Sequence, residues 1–173
     1  MFYEVEVKTH VRMPPEFFGS DIKKALLASL NKQFEGYIHK DIGLVIGVSD
    51  ITHIGDGVII PGDGAAYYET SFKLYTFIPE LQEVVLGKVT DITDFGAFID
   101  LGALDGMVHV SQTMDDFVSF SKSGVLSGKE SKKTLKAGDL VRARIIAVSF
   151  KEPTNPKIGL TMRQPALGPF TKK

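Results

Sequence analysis

The sequence predicts two domains of different class: an α+β domain made of an antiparallel sheet and one main helix, then an all-β five-stranded barrel. Three observations carry this. Apolar residues alternate through the first dozen positions and then switch to helical spacing between residues 22 and 34. A long aromatic-rich run over 66–78 is closed by Pro79. From Glu83 the rhythm changes to short apolar runs at close spacing, the pattern of a small barrel. The boundary falls near residue 80, giving domains 1–80 and 81–173.

Tyr3, Val5, Val7, Thr9 and Val11 alternate with polar residues, so the chain opens with a strand that buries one face, and Pro14-Pro15 ends it. Gly19-Ser20 offers an N-cap. Ile22, Ala25, Leu26, Leu30 and Phe34 then recur at helical spacing until Gly36 stops the helix. The apolar run Leu44–Val48, a short strand Val58–Ile60 and the turn Pro61-Gly62-Asp63-Gly64 follow. The strand from Ala66 to Ile78 carries Tyr67, Tyr68, Phe72, Tyr75 and Phe77 on both faces, so both should be covered by protein. In the second half the strands are read at Val84–Ile92, Phe95–Leu101, Met107–Val110, Leu140–Phe150 and Lys157–Met162, and five strands match the count of an OB barrel. The polar segment Ser111–Gly138 is long for a barrel connection and reads as a partly ordered insertion with a helical turn or two. The tail after Gln164 should lie extended.

Composition limits the function classes. Among 173 residues, 43% are hydrophobic and 24% charged, enough to build cores and too little charge for general disorder. The absence of cysteine excludes disulfides, a zinc ribbon and cysteine catalysis. The first residues, Met1-Phe2-Tyr3-Glu4-Val5-Glu6, lack the features of a signal peptide, and no apolar run approaches the roughly 20 residues that span a bilayer. A soluble cytoplasmic protein with no membrane partner is expected. Residues 1–82 carry 7 basic and 11 acidic side chains, and residues 83–173 carry 13 and 10. The asymmetry suggests a protein partner for the first half and a polyanion for the second. A pI near 6.4 argues against tight nonspecific nucleic-acid binding.

Phe95-Gly96-Ala97-Phe98 is the most informative stretch. Single-stranded RNA is bound by aromatic faces that stack on bases, flanked by cations that meet phosphates. Phe95 and Phe98, three apart, would point to opposite sides of a regular strand. Gly96 permits a bulge or twist that turns both outward while Ala97, Ile99 and Leu101 face the core. His109 could add a third stacking face. Lys88, Arg142, Arg144 and Lys157 fall on other barrel strands and could neutralise phosphates. The alternative is that one or both phenylalanines plug the barrel, and spacing alone leaves it open. No catalytic group is expected: nothing assembles a nucleophile, a base and oxyanion donors. Asp91/Asp94 and Asp115/Asp116 read as solvated loop residues rather than metal ligands, so neither metal nor cofactor is expected. Gly128-Lys129-Glu130 does not make a P-loop, since Glu130 stands where Ser or Thr would be needed. His10, His39 and His53 read as surface or strand residues, and the lysines at 129, 132, 133 and 136 as a solvated face.

Gly87-Lys88-Val89, Asp94–Gly102, Gly106–Ser111, Gly138-Asp139-Leu140-Val141 and Ile158-Gly159-Leu160-Thr161 resemble the successive motifs of the S-one RNA-binding OB domain, in order over residues 83–163. The resemblance implies that Phe95, Phe98 and His109 face RNA and that Lys157 supplies the basic residue opening the last strand. Members often carry an acidic residue before that strand. This chain has the longer loop Lys151-Glu152-Pro153-Thr154-Asn155-Pro156 instead. In the first half, Pro14–Gly19, Gly36-Tyr37, Lys40–Gly43, Gly57-Val58-Ile59, Pro61–Tyr67 and Phe77-Ile78-Pro79 are similar to the family of large stalk subunits of archaeal RNA polymerase, whose eukaryotic counterpart is the seventh subunit of RNA polymerase II. That resemblance covers essentially the whole chain. It implies a noncatalytic subunit that forms a heterodimer with a smaller helical stalk subunit. It further implies docking on the polymerase core and clamp, with Pro61, Gly62, Asp63 and Gly64 as the wedging turn, and binding of nascent single-stranded RNA by the barrel. By itself, Gly-Asp-Gly is also an ordinary hairpin turn. The rival reading is a free-standing OB-fold RNA-binding factor in translation or RNA decay.

Overall fold

The computed structural model describes residues 1–121, 124–150 and 156–170. Two units divide the chain, Met1–Ile78 and the residues from Pro79 onward.

In the first unit, β1 (Phe2–Met13), β2 (Ile38–His39), β3 (Gly43–Ile59) and β4 (Ala66–Phe77) form an antiparallel sheet in the order β1-β4-β3-β2. The helix α1 (Ile22–Phe34) packs on one face of it. The period-two pattern of β1 explains the layering. Val11 and Met13 turn inward to join Ala25, Leu26, Leu30, Val45, Ile51, Phe72 and Leu74 in a buried cluster. Their charged neighbours pair across the sheet, Glu4 with Lys73 at 2.6 Å and Lys8 with Glu69 at 2.8 Å.

Three local expectations change here. The N-cap of α1 is Asp21, whose side chain accepts from the Lys24 amide at 3.0 Å. Ser20 instead turns back to donate to the Phe17 carbonyl at 2.6 Å. The two short strands expected around 44–48 and 58–60 are one 17-residue strand, β3. Four register shifts against β4 each take a residue out of the ladder, which breaks the apolar alternation while the pairing continues. In β4, Thr70, Phe72, Leu74 and Thr76 are buried, but Tyr75 on the opposite face is 50% exposed, so that face is not fully covered.

In the second unit, β5 (Val84–Ile92), β6 (Gly96–Asp100) and β7 (Asp105–His109) run into α2 (Val110–Thr113). The strands β8 (Val118–Ser121), β9 (Val125–Gly128) and β10 (Thr134–Lys136) come next, then β11 (Leu140–Ser149), β12 (Lys157–Thr161) and β13 (Gly168–Pro169). β11 pairs with both β5 and β12, and β12 pairs in parallel with β7, so β5, β6, β7, β12 and β11 close into the expected five-stranded OB-like barrel. Val89, Ala97, Ile99, Val108, Val141, Ala143, Ile145, Ile158 and Leu160 fill its interior.

The insertion holds one helical turn, α2, in keeping with the expected helical turn or two, and then a three-stranded antiparallel sheet, β10-β9-β8, that was not expected. Phe120, Leu126 and Leu135 align across this sheet, with the two leucines fully buried. These strands are only three or four residues long, so the period-two signal in the sequence is short. Asp116, expected as a solvated loop residue, accepts from the Glu130 amide (3.0 Å), the Ser131 amide and hydroxyl (both 2.9 Å) and the Phe117 amide (2.6 Å). These bonds, led by the Ser131 amide, hold its carboxyl below the usual carboxylate range. The tail, expected to be extended, first makes a turn over Gln164–Leu167 with Ala166 at φ 66°, and then its two-residue strand β13 adds to β11.

Candidate nucleic-acid interface

Phe95 lies in the tight turn between β5 and β6. The turn is closed by the Thr93 amide to the Gly96 carbonyl (2.8 Å) and by the Thr93 hydroxyl to the same oxygen (3.0 Å). A turn residue escapes strand alternation, so Phe95 can sit on the same side as Phe98. It is 47% exposed, and the two rings meet edge to face with centroids 6.0 Å apart. Neither ring plugs the barrel; Ala97 and Ile99 are the inward residues of β6.

The expected distortion at Gly96 is not there. The register of β6 with β7 is unbroken from Gly96 opposite His109 to Asp100 opposite Asp105. The bulge lies on β5, between Val89 and Asp91, where Asp91 faces Phe98. Gly96 serves a different purpose. A Cβ there would lie 2.1 Å from the Val108 carbonyl oxygen, so only glycine lets β7 pass this close.

Phe98, Met107, Gly159 and Ala147 stand side by side across β6, β7, β12 and β11. They belong to the lining of a surface groove with a volume of about 830 Å³. His109 and Gln112 also line it, as do Asp100, Asp105 and Lys157. Nδ1 of His109 accepts from the Ser111 amide at 3.3 Å and stands 2.8 Å from its hydroxyl, which leaves the ring proton on Nε2. The groove therefore offers a stacking face, a ring N–H donor and a cation around an apolar floor, a set suited to an unstacked base and its phosphate.

The structure thus brings together Phe95, Phe98, His109 and Lys157, and separates the other cations from them. Arg142 and Arg144 lie on β11 beside Leu86 and Val84 of β5, away from the groove lining. Arg142 is engaged by the tail, donating to the Ala166 carbonyl at 3.3 Å with its guanidinium 5.5 Å from the Phe170 ring centre. Lys88 borders the groove only through its register neighbour Asp100. Sequence reasoning missed Met107 and Gly159, although their period-two spacing from His109 and Lys157 carried the signal. Residues 151–155 of the long loop lie outside the described residues.

The Pro61–Gly64 turn joins β3 to β4, with Gly62 at φ 92°. Asp63, expected as part of a contact surface, is partly exposed and engaged within its own domain. Its carboxylate accepts from Arg12 Nε (3.1 Å) and Nη2 (2.8 Å), from the Tyr67 hydroxyl (2.6 Å) and from the Ala65 amide (3.2 Å). Arg12 first, then Tyr67, hold it far below the usual carboxylate range, and the same contact raises the Arg12 guanidinium. Beside this turn Val58, Ile59 and Ile60 are exposed. Among the described residues no helix is long and apolar enough to cross a membrane. None of their His, Asp and Glu side chains group as a metal site.

Two family profiles match the chain, described as the SHS2 domain found in the N terminus of Rpb7p/Rpc25p/MJ0397, over residues 8–64, and the S1 RNA binding domain, over residues 78–152. Among curated relatives, the DNA-directed RNA polymerase subunit Rpo7 of Sulfolobus acidocaldarius is 40% identical over 97% of this chain and 92% of its own length. The Saccharolobus solfataricus Rpo7 is 39% identical over 97% and 94%. The bovine DNA-directed RNA polymerase III subunit RPC8 is 29% identical over 90% and 81%.

Proposed function

The chain belongs to the family of DNA-directed RNA polymerase subunits named Rpo7, and from that premise we propose that it is a noncatalytic stalk subunit whose barrel holds nascent single-stranded RNA. In this reading it pairs with a smaller helical subunit and docks on the polymerase core and clamp through the tip formed by Pro61–Gly64.

The observation that carries the RNA reading is the groove itself: Phe98, His109 and Lys157 line it, and Phe95 extends its aromatic face. A base would stack on Phe98 and Phe95. The Nε2–H of His109 would donate to a base carbonyl or phosphate oxygen, and Lys157 would meet a neighbouring phosphate. Asp105 and Asp100 stand at the same end as Lys157, one step before the Ile158–Gly106 pair, so they would offset part of its attraction for phosphate. Stacking on a π-face tolerates any base, and with so few cations the contact would be weak, salt-sensitive and only slightly sequence-selective. Such contacts would keep a transcript on one path without any chemistry by this subunit. The exposed aliphatics Val58, Ile59 and Ile60 support the docking reading, with Asp63 stiffening the turn rather than touching a partner.

The test is affinity capture on the tagged full chain from its source cell, together with RNA binding in vitro. The reading expects core polymerase and a small helical subunit to be recovered, and a labelled single-stranded RNA oligomer to be bound. Recovery of ribosomal or nuclease partners without polymerase would favour the free-standing RNA factor instead.

A further inference from the structure

Gln112 of α2 lines the groove beside His109, yet base stacking and phosphate contact leave it without a role. It is tied twice to the end of β12. Its backbone carbonyl accepts from the Met162 amide at 2.8 Å, and its side-chain Oε1 accepts from the Thr161 hydroxyl at 2.8 Å. The second bond fixes which way the amide points. Thr161 is buried, and its Oγ1 already accepts from the Arg163 amide at 3.3 Å. The hydroxyl proton therefore needs an acceptor, which Oε1 of Gln112 supplies. With the amide turned over, two N–H groups would converge on Oγ1 and the buried proton would lose that acceptor. The favoured orientation leaves the amide nitrogen, which can only donate, as the end of the side chain offered to the groove. The carboxylates in the lining, Asp100 and Asp105, stand at the far end of the β6–β7 pair from His109.

We propose that Gln112 is a specificity-determining residue of this groove, held as a donor by Thr161 so that, with His109, it favours bases bearing a carbonyl oxygen and disfavours adenine. A base stacked on Phe98 presents its edge to whatever polar groups stand at the end of the ring. Here both are N–H donors, Nε2 of His109 and Nε2 of Gln112. Guanine, cytosine and uracil each carry a carbonyl oxygen, whose two lone pairs can accept from both. Adenine carries none, and beside its N7 acceptor it shows its own N6 amino donor. Donor facing donor leaves both groups unpaired in a partly dehydrated site, so the discrimination comes from a penalty against adenine as much as from attraction to the others. Thr161 touches no base in this arrangement; it is a positioning residue that acts through Gln112.

The proposal rests on the reading of the groove as an RNA site. Full-length wild type and three variants would be titrated by fluorescence anisotropy with two labelled 12-residue RNAs. One is oligoadenosine, and the other is the same strand with every second adenosine replaced by inosine. Inosine exchanges the 6-amino group of adenosine for a carbonyl, so the purine ring is kept and the ratio of the two affinities reads the base edge. Wild type should bind the inosine strand about three- to tenfold more tightly, the range of one neutral hydrogen bond. Gln112→Glu keeps the acceptor for Thr161 but turns the donor into a second acceptor, so the ratio should fall to one or reverse. Gln112→Met should at least halve the ratio, and Thr161→Val, which frees the amide to turn over, should do the same with Gln112 still in place. Melting curves check that each variant folds. A Gln112 that only ties α2 to β12 would weaken both strands equally, and an unchanged ratio in folded Gln112→Glu would overturn the proposal. An unchanged ratio in Thr161→Val would overturn the part given to Thr161. A wild-type ratio at or below one, with both strands bound, would overturn the role of Gln112 and leave the RNA groove standing. Wild type that binds neither strand would overturn the RNA reading and this proposal with it.

Discussion

The two hairpin turns that the sequence singled out are built in opposite ways. The Pro61–Gly64 turn is held from below by a carboxylate that gathers four hydrogen bonds, and the residues beside it are exposed aliphatics. The Thr93–Gly96 turn is closed by backbone and hydroxyl bonds alone, and it displays an aromatic ring against the ring of Phe98. A rigid turn flanked by aliphatic groups suits a shaped protein surface, where preorganisation lowers the entropy lost on binding. An aromatic turn suits RNA, where a π-face accepts any base. The same secondary-structure device therefore supports two kinds of recognition, and the side chains that brace or crown it make the difference.

The sharpest break of the aromatic turn is steric. Gly96→Val drives a side chain into the Val108 carbonyl, and the barrel should lose ~3 kcal/mol, at the upper end of overpacking penalties. Urea denaturation would measure this, and a loss under about 1 kcal/mol would show that β7 can move aside. Next, Phe95→Ala with Phe98→Ala should weaken single-stranded RNA binding about 10- to 100-fold, from a stacking loss of ~1–3 kcal/mol per base. Because Phe95 is half exposed and neither ring fills the core, the melting temperature should move little; a large fall would return the rings to a structural role.

At the other turn, Asp63→Asn should speed amide exchange around residues 60–66 and weaken capture of core polymerase while leaving RNA affinity unchanged. Loss of RNA binding instead would show that the two turns are not separable. The pH dependence has a definite sign. The folded Asp63 carboxyl sits below its ordinary 3.8, so its contribution is complete above that value and fades only as pH falls further towards the folded value. Exchange at the tip should thus show no added protection loss from this group between pH 7 and 5. The smallest effect separates the cations. Lys157→Ala should reduce the salt slope of RNA binding by about 1, whereas Arg142→Ala, whose guanidinium is engaged by the tail, should change it little.

Much of this protein follows from local pattern. The alternation of Val5, Val7 and Val11, the helical spacing of Ala25, Leu26 and Leu30, and the five short runs after Glu83 specify their elements because burying one face is a period-two or period-3.6 requirement that the chain must meet locally. The aromatic pair was legible too, as residue types with a chemistry. Other features depended on contacts distant in sequence. Nothing near Asp63 announces Arg12, 51 residues away, as its partner. Nothing near Asp116 announces the turn at Glu130-Ser131. The bulges of β3 consumed residues that made one strand look like two. Gly96 was expected to bend the strand, and the passing Val108 carbonyl gives it its reason instead. Closure of the barrel decided which cations share a surface with the rings: it brought Lys157 to Phe98 and carried Arg142 and Arg144 to another wall. Residue identity and spacing determine which face of an element is buried, but which faces meet is set by strand register and closure, and those are fixed by the whole fold at once.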